Sequence, residues 1–317
     1  MKKALIIGIS GQDGAHLANF LIRKKYETWG TSRNKVNNIF KNLAKLNIQD
    51  KLNLLTMNPE SYEDTYNIIK KIMPDEIYFL SGQSAVGLSF EIPIETHNSI
   101  VLSTINLLES CRKINKDIKI YNAGSGEMFG NSKDKSNEKS CFNPCSPYGA
   151  AKATSFYHTK IYRESYEMYA CTGIMFNHES SLRPEKFVTQ KIIQTVKKIA
   201  GGDKIKLELG NINIVRDWGW SPEYVKVMWL MLQNKIPQDF IIATGESNTL
   251  ESFVAKAFEY FKLDWKEHIL LNKNFLRPNE LIHSRADPDK IASILNWRAE
   301  FKMEDVIKGM IEESDLF

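Results

Sequence analysis

The sequence predicts an α/β fold: a Rossmann doubly wound parallel sheet with a smaller mixed α/β C-terminal region. Three observations carry this. Short β-branched runs alternate with helix-period segments through the first half of the chain, the spacing that parallel βαβ units require. A glycine triplet, Gly8-Ile9-Ser10-Gly11-Gln12-Asp13-Gly14, stands between the first strand and the first helix. Beyond residue 177 the alternation loosens.

In order, strands are predicted at residues 4–7, 26–31, 52–55, 76–80, 118–122 and 170–176, and helices at 16–25, 62–73, 98–113 and, after a loop at 130–147, about 148–167. The later part predicts helices at 187–199, 221–232 and 250–261 and short strands at 205–209 and 239–242. This divides the chain into a dinucleotide-binding domain, residues 1–176, and a second region, 177–317, with some segments returning to the first domain. No internal repeat, low-complexity tract or disordered linker interrupts it.

The 317 residues are 43% apolar and 25% charged, ordinary for a globular protein with a sizeable core. With 42 basic and 38 acidic residues the net charge is +4, too balanced to argue for nucleic acid. No apolar run approaches the roughly 18 residues of a membrane helix. Met1-Lys2-Lys3 runs straight into Ala4-Leu5-Ile6-Ile7, which reads as a buried strand rather than a signal peptide. A cytoplasmic protein that engages no membrane is expected. The four cysteines are scattered; Cys141 and Cys145 are four apart, and no further His or Cys pair completes a zinc set. Free thiols and no metal are expected.

In the glycine triplet, Gly8, Gly11 and Gly14 let the backbone turn tightly and approach a pyrophosphate at the positive end of the helix. Gln12 and Asp13 belong to the same turn. The second strand ends in Gly30-Thr31-Ser32-Arg33 with no acidic residue to hold an adenosine ribose. Arg33 instead suits a 2′-phosphate, which favours NADP, with NAD the alternative. Asn58, after the third strand, is placed to approach the adenine.

Tyr148 and Lys152 stand four apart at the start of a helix and so share a face. A nearby ammonium lowers a phenol's pKa, making the phenolate a base for an alcohol proton. Ser125 and Glu127 follow the fifth strand; in an extended segment residues two apart point to one side, so both can face one pocket. The hydroxyl would hold a substrate oxygen. The carboxylate would take a proton from carbon beside a carbonyl.

These residues resemble the extended short-chain dehydrogenase/reductase superfamily. Tyr162-Arg163-Glu164-Ser165-Tyr166, Phe176-Asn177-His178-Glu179-Ser180, Arg216-Asp217-Trp218-Gly219, Leu80-Ser81-Gly82-Gln83-Ser84 and Phe275-Leu276-Arg277-Pro278-Asn279-Glu280 narrow the resemblance to the GDP-mannose 4,6-dehydratase family, along nearly the whole chain. The resemblance implies that Tyr148, helped by Lys152, takes the O4 proton while hydride leaves C4 for NADP⁺. Glu127 then removes the C5 proton and helps water leave C6, and hydride returns to C6. It implies that Ser125 orients O4, that Leu80 meets the cofactor, and that the second region binds a GDP-sugar. Ser84 would face the substrate, Asn177 the diphosphate, Val188 and Lys191 the guanine, Arg216 and Arg277 the phosphates, and Glu280 the ribose. It also implies a homodimer through helices beside the active site, or a homotetramer through the cofactor region, with Arg33 and residues 34–40 as candidate contacts.

The chain departs from the family pattern at several points. Ser125 stands where threonine is usual, Ala85-Val86-Gly87 where His-Val and a larger residue are usual, and Ser181-Leu182-Arg183-Pro184 where Pro-Arg-Arg-Gly is usual. The reaction survives these changes, but the sugar stays open: GDP-mannose, GDP-N-acetylglucosamine or GDP-manno-heptose, the last two suiting a roomier wall at Ala85 and Gly87. A GDP-sugar 4-ketoreductase or epimerase is the competing enzyme, and a non-catalytic NADP sensor the competing class.

Overall fold

The computed structural model describes residues 1–33 and 40–313. Seven parallel strands form the central sheet: β1 (Lys3–Ile7), β2 (Glu27–Ser32), β3 (Asn53–Thr56), β4 (Glu76–Phe79), β5 (Lys119–Ala123), β6 (Ala170–Met175) and β7 (Phe240–Ile242). Their spatial order is 7-6-5-4-1-2-3. β1 is apolar at Ala4, Leu5, Ile6 and Ile7, all fully buried, because helices cover both faces of a parallel sheet. Chain order reverses between β1 and β4, which opens a crevice at the carboxyl ends of the strands.

The covering helices are α1 (Gln12–Arg23), α2 (Tyr62–Ile72), α3 (Ser103–Ile114), α4 (Pro147–Tyr166), α5 (Val188–Ala200), α6 (Ser221–Gln233), α7 (Leu250–Tyr260) and α8 (Met303–Glu312). Local chemistry sets their ends. Ser146 Oγ accepts the Gly149 amide at 3.0 Å and Pro147 occupies the first turn of α4, both strong start signals. The same helix stops at Glu167 in the left-handed region. A buried polar set then fixes α4 to the sheet: Asn122 Nδ2 of β5 donates to Ser155 Oγ and Thr159 Oγ1, each at 3.0 Å.

A second core joins α5, α7 and α8 through Ile192, Ile193, Val196, Phe253, Val254, Val306 and Met310. Short two-stranded pairings, separate from the central sheet, order this region. Asn177–Glu179 lies parallel to Trp218–Trp220, and Val215–Arg216 antiparallel to Asn248–Thr249.

Several elements differ from the sequence expectation. α1 begins at Gln12 rather than residue 16, because the glycine turn feeds directly into it. The helix expected at 98 begins at Pro93 and passes through a π-helical segment, Asn98–Leu102, before α3. Strand 239–242 is the seventh strand of the central sheet, paired with β6. The strand at 205–209 shortens to Leu207–Leu209. Helices Lys41–Lys45, Asp289–Leu295 and α8 were not expected.

Candidate active site

Two connected clefts lie at the carboxyl ends of the strands. The first, of about 550 Å³, is lined by the glycine turn, by Thr31, Ser32 and Arg33 at the end of β2, and by Leu80 and Ser84 after β4. The second, of about 720 Å³, is lined by Ser125, Glu127, Tyr148 and Lys152 on one side and Asn177, Val188, Arg216 and Arg277 on the other. Asp13, Leu80, Ser84, Arg183 and Phe187 line both.

The first cleft has the form of a dinucleotide site. Gly8 has a φ of +97° and a Cβ there would stand 2.9 Å from the Ser81 amide; at Gly14 it would stand 2.4 Å from the Gly8 carbonyl. Both glycines are therefore demanded by the protein's own packing. Gly11 is not: a Cβ there would meet only Gly8 O, at 3.5 Å. Gly11 also heads α1 without a side-chain cap, so the first amides remain free for an anion. A pyrophosphate fits this cradle. Arg33 is exposed at the cleft edge. Asn58 is not in the lining; its Oδ1 accepts the Glu60 amide in a local turn.

Asp13 anchors a polar network under the turn. Its carboxylate accepts from His178 Nε2 at 2.9 Å, Ser221 Oγ at 2.8 Å and Gln12 Nε2 at 3.1 Å. Burial works against its charge, but His178 and the hydrogen bonds outweigh burial and hold the carboxyl far below its ordinary range. Gln12 also donates to His178 O and accepts from Ser180 Oγ.

In the second cleft, Ser125 and Glu127 share a wall for a different reason than alternation. Residues Gly126–Met128 form a 3₁₀ turn, and Ser125 Oγ accepts the Glu127 amide at 3.2 Å. That turn is seated against α4: a Cβ on Gly149 would stand 2.7 Å from the Glu127 carbonyl. Lys152 Nζ donates to Ala123 O at 2.7 Å, so the ammonium is tied to the end of β5.

Electrostatics correct one expectation. Burial raises the Tyr148 phenol to about 12, and Ser125, hydrogen-bonded to it, pulls the other way. Lys152, expected to lower the phenol, is not among the main contributors. Its Nζ lies 5.8 Å from the Tyr148 ring centre and is directed at the Ala123 carbonyl, and burial brings its own pKa down to about 8. Glu127 is raised by burial and opposed by Arg216 and Arg277.

Arg216 is buried, with Nη1 donating to Val215 O at 2.9 Å. Its Nη2 lies 3.7 Å from Glu280 Oε1, and Arg277 Nη1 lies 3.4 Å from the same oxygen. Among the described residues neither Arg216 Nη2 nor Glu280 Oε1 has a hydrogen-bond partner. A buried guanidinium with an unused donor beside the cleft suits a phosphate oxygen. Glu280 itself is behind the arginines rather than in the lining. Lys191 is likewise outside it: Nζ donates to Glu208 O at 2.7 Å and sits 3.9 Å from the centre of the Phe275 ring, so it supports Phe275, which does line the cleft. Arg183, Phe187, Thr189 and Trp218 also face the cleft and were not anticipated as site residues. Arg183 forms an ion pair with buried Glu179 at 3.0 Å and lies 3.7 Å over the Phe187 ring. The only sequence signal for it was a basic residue at a departure from the family pattern.

The family model for GDP-mannose 4,6 dehydratase matches residues 5–310. The chain belongs to this family. It is 40% identical over 330 residues to GDP-mannose 4,6 dehydratase 1 of Arabidopsis thaliana, covering 98% of this chain and 89% of that one. With the human GDP-mannose 4,6 dehydratase it shares 35% identity over 97% of this chain and 90% of the relative. Two solved structures have the same fold. The dTDP-glucose 4,6-dehydratase of Bacillus anthracis, in complex with NAD, superposes with a TM-score of 0.86 at 15% identity, covering 98% and 96% of the two chains. The UDP-glucose 4-epimerase of Thermus thermophilus, complexed with NAD, gives 0.84 at 19% identity, covering 98% of each. The chain is an NAD(P)-dependent GDP-sugar 4,6-dehydratase. Among the described residues no helix is long and apolar enough to cross a membrane.

Proposed function

We propose that Ser125, Glu127, Tyr148 and Lys152 carry the dehydration, acting on a GDP-hexose held by Asn177, Val188, Arg216 and Arg277. The observation that carries this reading is the shared lining: the four side chains face one cleft that opens into the dinucleotide cleft. NADP, favoured over NAD by Arg33, supplies the acceptor and later the donor of hydride when bound. The chain's own residues handle protons and position. Tyr148 in its phenolate form accepts the proton of the sugar O4 and becomes the phenol, and Ser125, hydrogen-bonded to Tyr148, holds that oxygen in line. Lys152 orients the first turn of α4 through Ala123. Once C4 is a ketone the C5 proton is acidic. Glu127, raised by burial, takes that proton as a carboxylate and returns one to the departing C6 hydroxyl. A base with an elevated pKa suits both duties. Arg216 and Arg277 hold the diphosphate.

The dehydratase reading is favoured over ketoreductase or epimerase by Glu127, which those reactions do not need. In Glu127→Gln, water loss is expected to fall by about 10²–10⁴-fold with NADP binding unchanged. Full turnover in the variant would move the assignment to a reductase or epimerase.

The sugar reading follows from the wall at Ala85–Gly87. A Cβ on Gly87 would meet nothing within 4 Å, and Gly87 lines the cleft. That opening favours a hexose or heptose bearing an extra substituent, such as GDP-N-acetylglucosamine, over unmodified GDP-mannose. Turnover of GDP-mannose alone would refute it.

A homodimer is supported by apolar side chains left exposed on two adjoining helices: Ile94 at 77%, Tyr157 at 51% and Ile161 at 50%. Ile161→Lys would leave a monomer in sedimentation if this face is the interface. A tetramer would engage Arg33; residues 34–39, the rest of that candidate contact apart from Phe40, lie outside the described residues. The working division remains a dinucleotide-binding domain at 1–176 and a largely GDP-sugar-binding region at 177–317, in the cytoplasm.

A further inference from the structure

Asp13 raises a physical problem. Asp13 lines both clefts, beside the turn where a pyrophosphate would sit, and a bare negative charge there would repel a polyanionic ligand.

His178 supplies the answer. Its Nδ1 is 2.7 Å from Phe176 O, and its Nε2 is 2.9 Å from Asp13 Oδ2. A carbonyl and an ionised carboxylate can only accept, so both ring nitrogens must donate, and the ring is an imidazolium. A neutral tautomer would set a lone pair against one of those oxygens at hydrogen-bonding distance. The ring lies against Tyr224, centroids 4.8 Å apart at 25°. The charged and titratable groups that face it are Asp13 from α1, Tyr224 from α6, and Glu179 and Arg183 from its own segment. Burial opposes the charge, but Asp13 and the two hydrogen bonds outweigh burial, and the ring's pKa is raised.

We propose that His178 is a positioning residue: a permanent imidazolium that neutralises Asp13 and ties the glycine turn to the strand carrying Asn177, so that the cofactor and GDP-sugar clefts are held as one unit. The connections are all present. Asp13 also accepts from Ser221 at the start of α6, and Gln12 reaches back to the His178 carbonyl at 3.2 Å. Asn177 precedes His178 on the strand paired with Trp218–Trp220. Three chain segments thus meet at one ion pair. The role rests on the reading that the first cleft takes NADP.

The test has two arms. In cofactor-free wild type labelled with ¹⁵N-histidine, both His178 ring nitrogens should show imidazolium shifts unchanged from about pH 6 to about pH 8, across the ordinary histidine pKa. A His178 that titrates in that window overturns the proposal. In the second arm, NADPH is titrated by fluorescence into wild type, Asp13→Asn and His178→Gln. His178→Gln, which leaves the Asp13 charge bare, should bind at least about tenfold more weakly, the scale of one lost charge-assisted hydrogen bond, whereas Asp13→Asn and the double variant, which carry no such charge, should lose less. Wild-type affinity in His178→Gln also overturns it. Wild type that keeps the imidazolium shifts but binds no NADPH would refute the cofactor reading and with it this role; titration of His178 with NADPH binding intact would refute the imidazolium alone.

Discussion

Substituting Gly149 by alanine probes how the Ser125–Glu127 turn is aimed. In an isolated helix the change would stabilise by about 1 kcal/mol, because alanine is the better helix former. Here the added Cβ would stand 2.7 Å from the Glu127 carbonyl oxygen and 3.1 Å from Pro144 Cβ. A carbon and a carbonyl oxygen settle at about 3.3 Å or more, so the backbones must part by roughly 0.6 Å. The oxygen belongs to the main chain, so no rotamer change relieves the contact. Overpacking of this kind costs about 1–3 kcal/mol, which exceeds the helix-propensity gain. Glu127 and Tyr148 lie on opposite sides of the contact, so the shift alters their spacing. A 1 Å misplacement can cost on the order of 10²-fold in rate, and about half that distance corresponds to roughly tenfold. Gly149→Ala should fold with a lowered Tm and lose about tenfold in kcat for water loss. KM for the GDP-sugar should change less, because Arg216 and Arg277, proposed above to hold the diphosphate, lie at the far end of the cleft from this contact. Thermal melts and product formation by mass would measure both. A lowered Tm with unchanged kcat would refute the idea that this contact sets the catalytic geometry.

Further predictions concern the charged groups. Arg216 opposes the burial that raises Glu127, so Arg216→Met should raise Glu127 further and move the acid limb of the kcat–pH profile to higher pH; a shift the other way would contradict the assignment of Glu127 as base. Lys152 is held near 8, against an ordinary 10.5. In cofactor-free protein the unfolded chain therefore binds more protons than the folded one between those values. Wild type should gain stability over Lys152→Met as pH rises from about 8 to about 10.5, by roughly 3 kcal/mol in total. Denaturant melts across that range would test it, and a flat or opposite trend would mean that the ammonium is not buried as described.

Much of the fold was legible because its determinants are local. Ala4–Ile7 is apolar without alternation, and the helix expected from about residue 148 begins at Pro147. The elements that escaped depend on distant partners. Phe240–Ile242 is too short to declare which sheet it joins; only pairing with β6 decides that. The π-helical segment at Asn98–Leu102 has no sequence mark. At the site, the Tyr148–Lys152 spacing and the glycine turn were readable because helix periodicity and backbone sterics fix them. The direction of the Lys152 ammonium was not, since it depends on the Ala123 carbonyl from another strand. Nor was the place of Lys191, whose partner Glu208 O and neighbour Phe275 are brought together only by the fold. Arg183 was missed because its importance comes from buried Glu179 and from standing where the clefts join.

The most direct test of the central claim is incubation of the purified protein with GDP-mannose and, separately, GDP-N-acetylglucosamine, with NADP present and no reductant, following products by mass and NADPH by absorbance. The account predicts loss of one water from at least one substrate with no net NADPH. Net NADPH accumulation, or an isomer of unchanged mass, would contradict it.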